Sequence, residues 1–438
     1  MSVFHHLPLG RRIPDRLHAV SVSLPTMRDL IGYEEKDPAV TRHIGSGYPR
    51  FVLHPRLRQL TEHLTRQHGL AGRTLWLTTS ECSAAELTAH LASSAHSDNT
   101  EITPFAANSS TGSGPVGLHG VSHPENPELA GEAKSFLQHT GMFLGSRQAE
   151  DILVQLGVLP AAEPEPLFVG DASAEIKRVL RCALPATGDA DLFHACSGMN
   201  AIYSAFRAVS ELQAARGRTI WVQLGWLYRD TISILKQFPS DPARDYVYLY
   251  SVSDQAALER LFAEHGSRIA GIFAETPTNP LIQTPDVPAL AGLARRHGAR
   301  LILDPSIASL FCVDVLAYAD VVVNSLTKFA ARDGDIMAGL VAVNPAGPDA
   351  VGGMLSFTLK TPLAPFYDAV RLPKGPSFGM TSSLISPFIY IAHYDLVKDA
   401  AGRAELAAGG IDPDLLRLSV GAEPVDDIIA ALADALEA

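Results

Sequence analysis

The sequence predicts an α/β fold with a parallel central sheet, and two observations lead to this prediction. Three short apolar runs, residues 272–274, 301–303 and 321–323, are each followed at once by polar residues. Continuous apolar runs of this kind are typical of strands that are buried on both faces of a parallel sheet. Between the first two runs, residues 286–297 carry apolar side chains at helical spacing, which predicts a strand–helix–strand unit.

Polar residues able to hold an anionic heteroaromatic ligand follow all three predicted strands. They are Glu275 and Asn279 after the first strand, Asp304 after the second, and Ser325, Thr327 and Lys328 after the third. Ligands of open parallel sheets bind outside the carboxyl ends of the strands, so we expect Asn279, Asp304 and Lys328 to converge on one crevice. Pyridoxal phosphate needs this combination: an amine for its covalent bond, a carboxylate beside the pyridine nitrogen, and hydroxyl and amide donors for its phosphate.

Length and composition limit the kind of protein. The chain has 438 residues, of which 47% are hydrophobic, enough for one large catalytic domain and a smaller companion. A net charge of −12 argues against a nucleic-acid partner. No apolar run is long enough for a membrane span, and residues 1–12 lack the apolar centre of a signal peptide, so we expect a cytoplasmic protein that acts on small molecules. The four cysteines lack C-x-x-C spacing, and we assign no metal.

Read in order, the chain divides into four segments: residues 1–70, 71–166, 167–345 and 346–438. The first is a loop-like arm that ends in an amphipathic helix predicted at 56–68. The second contains a strand-like run at 74–78 and a stretch rich in Gly, Ser and His at 108–123, which we interpret as a mobile loop. The third contains predicted helices at 201–212 and 253–266 and a predicted strand at 221–224.

Taken singly, the strand-end residues are weak evidence, because a lysine after a strand is usually a surface charge and an aspartate there is often a turn residue. Their combination is more specific. Glu275-Thr-Pro-Thr-Asn-Pro280, then Asp304, then Ser325-Leu-Thr-Lys328 resemble the Cys/Met-metabolism family of pyridoxal phosphate enzymes, in the order that the family uses. The segments at 22–25, 32–35 and 47–50 are similar to the fungal-type cystathionine γ-synthases of that family.

The resemblance implies a fold-type-I pyridoxal phosphate transferase, with a mostly parallel central sheet, helices on both faces and a small α+β carboxy-terminal domain. It makes residues 71–166 a family-specific insertion, 167–345 the cofactor-binding domain and 346–438 the substrate domain. Between Lys328 and Arg417 the chain is shorter than family members usually are. We therefore expect a thinner wall of the substrate cleft, for which the insertion is the obvious substitute.

The resemblance also assigns cofactor residues. Lys328 would bind pyridoxal phosphate covalently and carry protons, Asp304 would hold the ring nitrogen, Asn279 would lie near the ring hydroxyl, and Tyr228 would stack on the ring. A Ser-Gly turn that opens a helix offers free N–H groups to an anion. The remaining candidates for cofactor binding, mainly to the phosphate, are Ser197, Gly198, Met199, Ser325 and Thr327.

Two further pairs of residues concern the subunits and the substrate. Tyr48 and Arg50 match an arm that, in the family, reaches the phosphate in a neighbouring subunit, which implies a homodimer or dimer of dimers with shared active sites. Arg417 would clamp the substrate α-carboxylate beside Ser377 in the substrate loop. Arg332 departs from the family pattern, and two interpretations stay open: it binds an anionic co-substrate, or it pairs with Asp333 or Asp335.

The implied reaction is γ-replacement on a C4-activated L-amino acid. The donor would be an activated homoserine or an S-adenosylmethionine-like molecule, which would lose its leaving group to give a β,γ-unsaturated intermediate. A nucleophilic co-substrate, bulky or carbon-based, would then add. The alternatives are a γ- or β-lyase of sulfur amino acids and a non-catalytic homologue, because these proteins share the cofactor residues and differ in the shape of the pocket.

Overall fold

The computed structural model of the chain describes residues 6–94, 96, 101–109, 116–184, 187–313, 315, 318–342 and 354–437. The predicted boundary at 345/346 lies outside these residues. The segment before residue 71, called the arm below, contains β1 (Arg12–Ile13), β2 (Ser21–Val22), α1 (Met27–Glu34), α2 (Pro38–Thr41) and α3 (Pro55–Gln67). Residues 71–166, called the insertion, contain β3 (Arg73–Thr78), α4 (Glu81–Ala92), β4 (Thr103–Ser109), β5 (Val116–Pro124), α5 (Pro127–Thr140) and α6 (Ser146–Gln155).

The segment from residue 167 to residue 342 forms the central layer. Its helices are α7 (Ala172–Ala183), α8 (Gly198–Ala214), α9 (Arg229–Gln237), α10 (Gln255–His265) and α11 (Val287–His297), with one 3₁₀ turn at Asp189–Asp191. Its strands are β6 (Phe193–Ala195), β7 (Ile220–Leu224), β8 (Tyr246–Leu249), β9 (Ile269–Glu275), β10 (Arg300–Asp304), β11 (Val321–Ser325) and β12 (Gly339–Val341). The predicted strands and helices of this segment are confirmed, with boundaries that differ by a few residues.

The carboxy-terminal unit, residues 354–437, combines a small sheet with short helices. It contains β13 (Met354–Phe357), α12 (Leu363–Ala369), β14 (Leu384–Pro387), α13 (Phe388–Ala392), α14 (Tyr394–Val397), α15 (Ala400–Ala408), β15 (Leu416–Ser419) and α16 (Val425–Leu436). Its three strands pair antiparallel in the order β13-β15-β14.

Within the described residues the central sheet has seven strands in the order β6-β12-β11-β10-β9-β7-β8. The five neighbouring strands β11, β10, β9, β7 and β8 are parallel. β12 runs antiparallel to β11, and β6 runs antiparallel to β12. Side chains of β9 alternate between two apolar cores: Ile272 lies with α10 and α11, whereas Phe273 lies with α8 and α9. Helices therefore cover both faces, and the predicted mostly parallel α/β fold is confirmed.

The insertion is folded, and the predicted mobile loop at 108–123 is wrong for the part that is described. Residues 116–124 form β5, the middle strand of an antiparallel sheet in the order β3-β5-β4; residues 110–115 lie outside the described part. The glycine content that suggested a loop has a packing reason at Gly120. A Cβ at Gly120 would lie 2.2 Å from the carbonyl oxygen of Trp76 on the neighbouring strand, so only glycine fits this close approach.

The arm packs into the carboxy-terminal unit of its own chain. Buried apolar residues of the arm, Val22, Leu24, Leu30 and Ile44, share one core with apolar residues of α12, β15 and α16. The arm also contacts the insertion, where His18 lies 3.0 Å from Ser146 Oγ and 3.2 Å from Glu150 Oε2. These contacts hold the stretch that follows, residues 46–52, over the carboxyl ends of the central strands.

No helix among the described residues is both long and apolar enough to cross a bilayer.

Candidate active site

The candidate site is a cavity of about 400 Å³ at the carboxyl ends of β9, β10 and β11. All four segments of the chain contribute to its walls. Twelve residues predicted from the sequence lie there together: Tyr48, Arg50, Ser197, Gly198, Met199, Tyr228, Asn279, Asp304, Ser325, Thr327, Lys328 and Arg417. The expectation that three strand ends converge on one crevice is therefore met by the geometry.

Lys328 lies at the centre of the cavity, just beyond β11, and only 8% of it is exposed. Its Nζ contacts the Tyr48 hydroxyl and lies 4.2 Å from the centre of the Phe378 ring. Within the described chain no carboxylate lies within 4 Å of this amine. Burial lowers the pKa of Lys328, and Tyr48 opposes that shift. A buried amine without a carboxylate partner can become neutral, which a nucleophile or a base requires.

Two buried carboxylates, Asp304 and Glu275, lie on the same side of the cavity. Burial raises the pKa of Asp304 to about 6. Burial and the neighbouring Asp304 charge raise the pKa of Glu275 well above its ordinary value. Asp304 accepts a 2.9 Å hydrogen bond from the Ser306 backbone N–H, and Ser306 is among the cavity-lining residues. Because a buried carboxylate is costly without a cation, a protonated pyridine nitrogen is a suitable partner for Asp304.

The amino-terminal end of α8 presents free backbone N–H groups at the cavity, as an anion would require. The first N–H groups of a helix have no acceptor inside it. Ser197 Oγ accepts from the Asn200 N–H at 3.0 Å, and Gly198 and Met199, at the start of the helix, line the cavity. Close packing fixes this turn, because a Cβ at Gly339 would lie 2.1 Å from the Ser197 carbonyl oxygen. Hydroxyl groups of Ser325 and Thr327 complete the polar lining at the end of β11.

Arg50 and Tyr228 form a partly buried pair, a contact that the sequence did not predict. Arg50 Nη2 donates to the Tyr228 hydroxyl at 2.6 Å, and Nη1 donates to Asp230 at 3.0 Å. Asp230 also accepts from Gln138 of the insertion at 3.0 Å. Arg50 Nε is buried without a partner. These two hydrogen bonds hold the Tyr228 ring and α9 and use two of the five N–H donors of the guanidinium, and Nε is among the donors left for an anion.

The prediction that the arm completes a neighbouring subunit's site stays a prediction, because the structure contains one chain. Within that chain Tyr48 contacts Lys328, and its hydroxyl lies 3.1 Å from Ser377 Oγ. The core that the arm shares with the carboxy-terminal unit holds residues 46–52 over the cavity. Both Tyr48 and Arg50 line that cavity.

Arg417, on β15, is a fully buried guanidinium at the cavity wall, only 1% exposed. It donates to Asn279 Oδ1 at 3.3 Å and to the carbonyl oxygens of Pro376 at 2.6 Å and Ser377 at 3.3 Å. Its Cζ lies 4.0 Å from the centre of the Phe388 ring. Burial lowers the pKa of Arg417. No side-chain carboxylate among the described residues lies within 4 Å of it, so an anionic ligand would supply the missing charge.

Two predicted substrate residues occupy other positions. Ser377 contacts Tyr48 through its hydroxyl and Arg417 through its carbonyl oxygen, but it is not among the residues that line the cavity. Its neighbours Pro376 and Phe378 do line the cavity. Arg332 is exposed and is not among the lining residues, so the predicted contact with an anionic co-substrate is wrong. Its predicted pairing with aspartates is also wrong, because Asp333 and Asp335 pair with Arg16, and Asp335 also pairs with Arg147. A left-handed backbone at Arg332, with φ of 62°, turns the chain away from the site.

The cavity contains groups to which the sequence assigned no specific role. Glu275 accepts the backbone N–H of Tyr228 and, at 3.0 Å, that of Asn279, so it fixes both loops. Lys134 and Gln138 come from α5, which confirms that the insertion supplies part of the wall. The polar face of α5 was the available signal, but nothing in the sequence connected it with the distant strand ends.

These residues fit pyridoxal phosphate. The amine-reactive carbon of this cofactor needs a lysine, and Lys328 is buried without a carboxylate partner among the described residues. The ring nitrogen needs a carboxylate, and the pKa of Asp304 is raised. The phosphate needs N–H donors, which the amino terminus of α8 and the unpartnered Arg50 Nε offer in the same cavity. Among the described residues no group of three or more metal-ligating side chains is found.

Comparisons with known proteins agree with this fit. A family model described as Cys/Met metabolism PLP-dependent enzyme matches residues 182–350 and 346–437. The L-2-amino-4-chloropent-4-enoate dechlorinase/desaturase of Streptantibioticus cattleyicolor is 34% identical, with 98% of each chain covered. The cystathionine γ-synthase of Neurospora crassa is 24% identical, again with 98% of each chain covered. A solved cystathionine γ-synthase from Xanthomonas oryzae pv. oryzae is 18% identical, with a TM-score of 0.49, and covers 63% of this chain and 89% of that one.

Proposed function

Because the chain belongs to the Cys/Met metabolism family of pyridoxal phosphate-dependent enzymes, we propose that it removes a leaving group from C4 of a small L-α-amino acid. The observation that carries this proposal is the pair of buried cations, Lys328 and Arg417, which line one cavity without carboxylate partners among the described residues. Lys328 suits a covalently bound cofactor, and Arg417 suits the carboxylate of an amino acid.

Pyridoxal phosphate, when bound, supplies an electron sink that makes protons on Cα and Cβ of the amino acid removable. Lys328 then takes the Cα proton and returns it to another carbon, since its amine is buried and not held as an ammonium by a carboxylate. Arg417 holds the α-carboxylate and so fixes which Cα bond faces Lys328. Asp304 would hold a proton at the ring nitrogen, and Tyr228 would cover one face of the ring and exclude water.

We favour elimination, in which no nucleophile adds after the C4 substituent has been lost. A cavity of about 400 Å³ is at the lower end of the usual range for ligand sites, yet it must take both the cofactor and the amino acid. Little space then remains for a second substrate. Similarity over nearly the whole chain to a dechlorinase/desaturase of a chlorinated amino acid supports the same choice. The product would be an unsaturated amino acid and a free leaving group.

γ-Replacement is the second candidate, and the charge at the cavity mouth favours it. Lys36 of the arm, Lys134 of the insertion and Lys398 of the carboxy-terminal unit line the mouth, and no carboxylate within the described chain lies within 4 Å of them. Arg229, also at the mouth, has one distant carboxylate, Asp395 at 3.8 Å. In a chain of net charge −12 this basic rim would attract an anionic nucleophile. The similarity to a cystathionine γ-synthase supports this alternative.

One experiment separates the candidates. The cofactor-loaded protein is incubated with L-2-amino-4-chloropent-4-enoate and, separately, with O-acetyl-, O-succinyl- and O-phosphohomoserine, each with and without cysteine. Released chloride, acetate, succinate or phosphate and the amino-acid products are measured by mass spectrometry and ion chromatography. Elimination gives release at the same rate without cysteine, whereas replacement requires cysteine and gives a thioether. No release from any donor would overturn the proposed loss of a C4 leaving group.

The cofactor attachment is tested independently of the reaction. Borohydride reduction of the loaded protein, followed by peptide mapping, should place the pyridoxyl group on Lys328. The variant Lys398→Ala serves as a control, because it removes an amine at the rim of the same cavity. A label on any other lysine would contradict the assignment of Lys328.

A further inference from the structure

Lys328 and Arg417 are two buried cations that share one cavity. In the part of the chain that the structure describes, no side-chain carboxylate lies within 4 Å of either group. A buried charge is costly unless other groups compensate it. Arg417 also lowers the pKa of Lys328, as expected for two like charges that repel each other. The groups that compensate these charges therefore have to be found among the uncharged side chains of the cavity wall.

The ring of Phe378 contacts both cations. Its centre lies 4.2 Å from Lys328 Nζ and 4.8 Å from Arg417 Cζ. The face of an aromatic ring attracts a cation within about 6 Å of its centre, and the attraction is larger when the cation is desolvated. Phe378 is only 7% exposed and lines the cavity, so water competes little with these two contacts.

Close packing fixes the Phe378 ring relative to both cations. The next residue, Gly379, has a left-handed backbone with φ of 71°, and a Cβ there would lie 2.7 Å from the carbonyl carbon of Lys328. The loop therefore lies directly on the backbone that follows β11. The Gly379 N–H donates to Ser419 Oγ at 2.9 Å, on the strand β15 that also carries Arg417. One turn thus holds the ring against the amine and the guanidinium.

Phe388 offers a comparison within the same cavity, because it contacts Arg417 but not Lys328. Its ring centre lies 4.0 Å from Arg417 Cζ, and it is only 2% exposed. In the described chain the ring centres near Lys328 Nζ are those of Phe378 and Tyr48. A change at Phe388 therefore alters the surroundings of the guanidinium and leaves those of the amine as they are.

We propose that Phe378 is a positioning residue whose ring takes the place of a counter-ion for Lys328 and Arg417. This inference rests on the proposed function, in which Lys328 moves the substrate proton. A ring face attracts an ammonium group, but it holds this group less strongly than a carboxylate does. The amine can therefore take up a proton in a cavity that already contains a guanidinium, and it can release the proton again. No bond forms or breaks at the ring.

The sign of the expected effect follows from the groups around Lys328. Burial lowers the pKa of Lys328, the Arg417 and Arg50 charges lower it further, and Tyr48 raises it. Attraction to the Phe378 ring stabilises only the ammonium form, so it also raises the pKa. A weaker attraction at unchanged burial should therefore lower the pKa of Lys328.

The test replaces Phe378 with phenylalanine that carries one, two or three fluorine atoms on its ring, introduced by amber suppression. Fluorine withdraws electron density from the ring face and leaves the shape and burial of the side chain nearly unchanged. The reaction of Lys328 with trinitrobenzenesulfonate is then followed in the cofactor-free protein, by peptide mapping, as a function of pH. Its midpoint should move to lower pH with each fluorine, by roughly 0.4–1.5 pH units over the series.

The same fluorinated series at Phe388 is the matched control, and it should leave the midpoint unchanged. In the cofactor-loaded protein the acid limb of the pH profile of kcat should move to lower pH in the Phe378 series and stay in place in the Phe388 series. A role of Phe378 in packing alone would give no stepwise response, because the fluorinated rings have nearly the same shape. If the triply fluorinated protein fails to fold, as judged by circular dichroism, the singly and doubly fluorinated proteins give the first two steps.

A midpoint that stays constant across the Phe378 series, or that moves equally in the Phe388 series, would overturn the role of Phe378. Failure of the proposed function gives a different result, because borohydride would then leave Lys328 unlabelled in the wild-type protein. If Lys328 is labelled and the midpoint is constant, the proposed enzyme stands and the aromatic counter-ion does not.

Discussion

Replacement of Arg417 by lysine should weaken substrate binding and leave the cofactor in place. A guanidinium has five N–H donors. Contacts with Asn279, Pro376 and Ser377 account for three of them among the described residues. The remaining donors would bind the two oxygens of the substrate α-carboxylate. Lysine keeps the charge but offers a single point of contact, so Arg417→Lys loses about one charge-assisted hydrogen bond.

The expected size follows from that count. A hydrogen bond to a charged group contributes about 1.5–3 kcal/mol, which corresponds to a roughly 10- to 150-fold change in affinity. We therefore expect KM to rise about 10- to 150-fold in Arg417→Lys and further in Arg417→Ala. The carboxylate does not change in the reaction, so kcat should change much less than KM. The visible absorbance of the loaded protein should stay the same.

The assay is steady-state kinetics, accompanied by absorbance spectra and melting curves. Arg371→Lys is the matched control, since Arg371 forms an exposed pair with Asp434 in the same unit and lies outside the cavity. An exposed ion pair contributes only about 0–1 kcal/mol to stability. A KM within threefold of the wild type in Arg417→Lys, or loss of cofactor from that variant, would refute the proposed carboxylate clamp.

Three other predictions concern the cofactor site. Mixing inactive Arg50→Ala with inactive Lys328→Ala should restore some activity through hybrid dimers if the arm reaches a partner's site. No recovery, with subunit exchange verified by mass, would place Arg50 in the cavity of its own chain, which it lines in the structure. Burial raises the pKa of Asp304 to about 6, above the value near 4 that an aspartate has in the unfolded chain. The folded cofactor-free protein therefore binds this proton more tightly than the unfolded chain does. Its free energy of unfolding should fall as pH rises from about 4 to 6. Asp304→Asn should reduce that slope in melting curves while activity is lost, and an unaltered slope would contradict the assignment of the raised pKa. Gly339→Ala should weaken cofactor binding about tenfold or more, equivalent to about 1.4 kcal/mol, because the added Cβ would displace the Ser197 turn. The assay is a fluorescence titration with the cofactor, and the control is Gly131→Ala, where a Cβ would enter open space. Equal cofactor affinities of the two variants would argue against the anion site.

The parts of the site that follow from local rules could be predicted from the sequence. Asp304 ends β10, Asn279 and Lys328 follow the ends of β9 and β11 within a few residues, and the carboxyl ends of parallel strands meet at one edge. The helix at Val287–His297 was equally readable, because its apolar spacing, Asp286 cap and Gly298 end agree with one another.

Errors arose where distant contacts decide the outcome. The close approach of Trp76 requires glycine at position 120, although glycine is usually evidence against a strand. The arm packs on apolar residues more than 300 positions away in the sequence, so the motif around Tyr48 and Arg50 could not reveal this shared core. Arg332 lies four residues after Lys328, but one left-handed residue directs its side chain outward, and single-residue backbone changes carry no periodic signal.

The joint core of the arm and the carboxy-terminal unit is complete only when residues 363–435 have been synthesised. Val22, Leu24 and Leu30 are made about 300 residues earlier, and a ribosome adds roughly 5–20 residues per second, which gives a delay of roughly 15–60 s. During this delay these side chains lack the part of their core that the carboxy-terminal unit supplies, although the central sheet, which lies between the two segments in the sequence, can already fold. Substitutions on the apolar face of the arm should accordingly reduce the yield of folded protein during expression more than they reduce the stability of the finished chain.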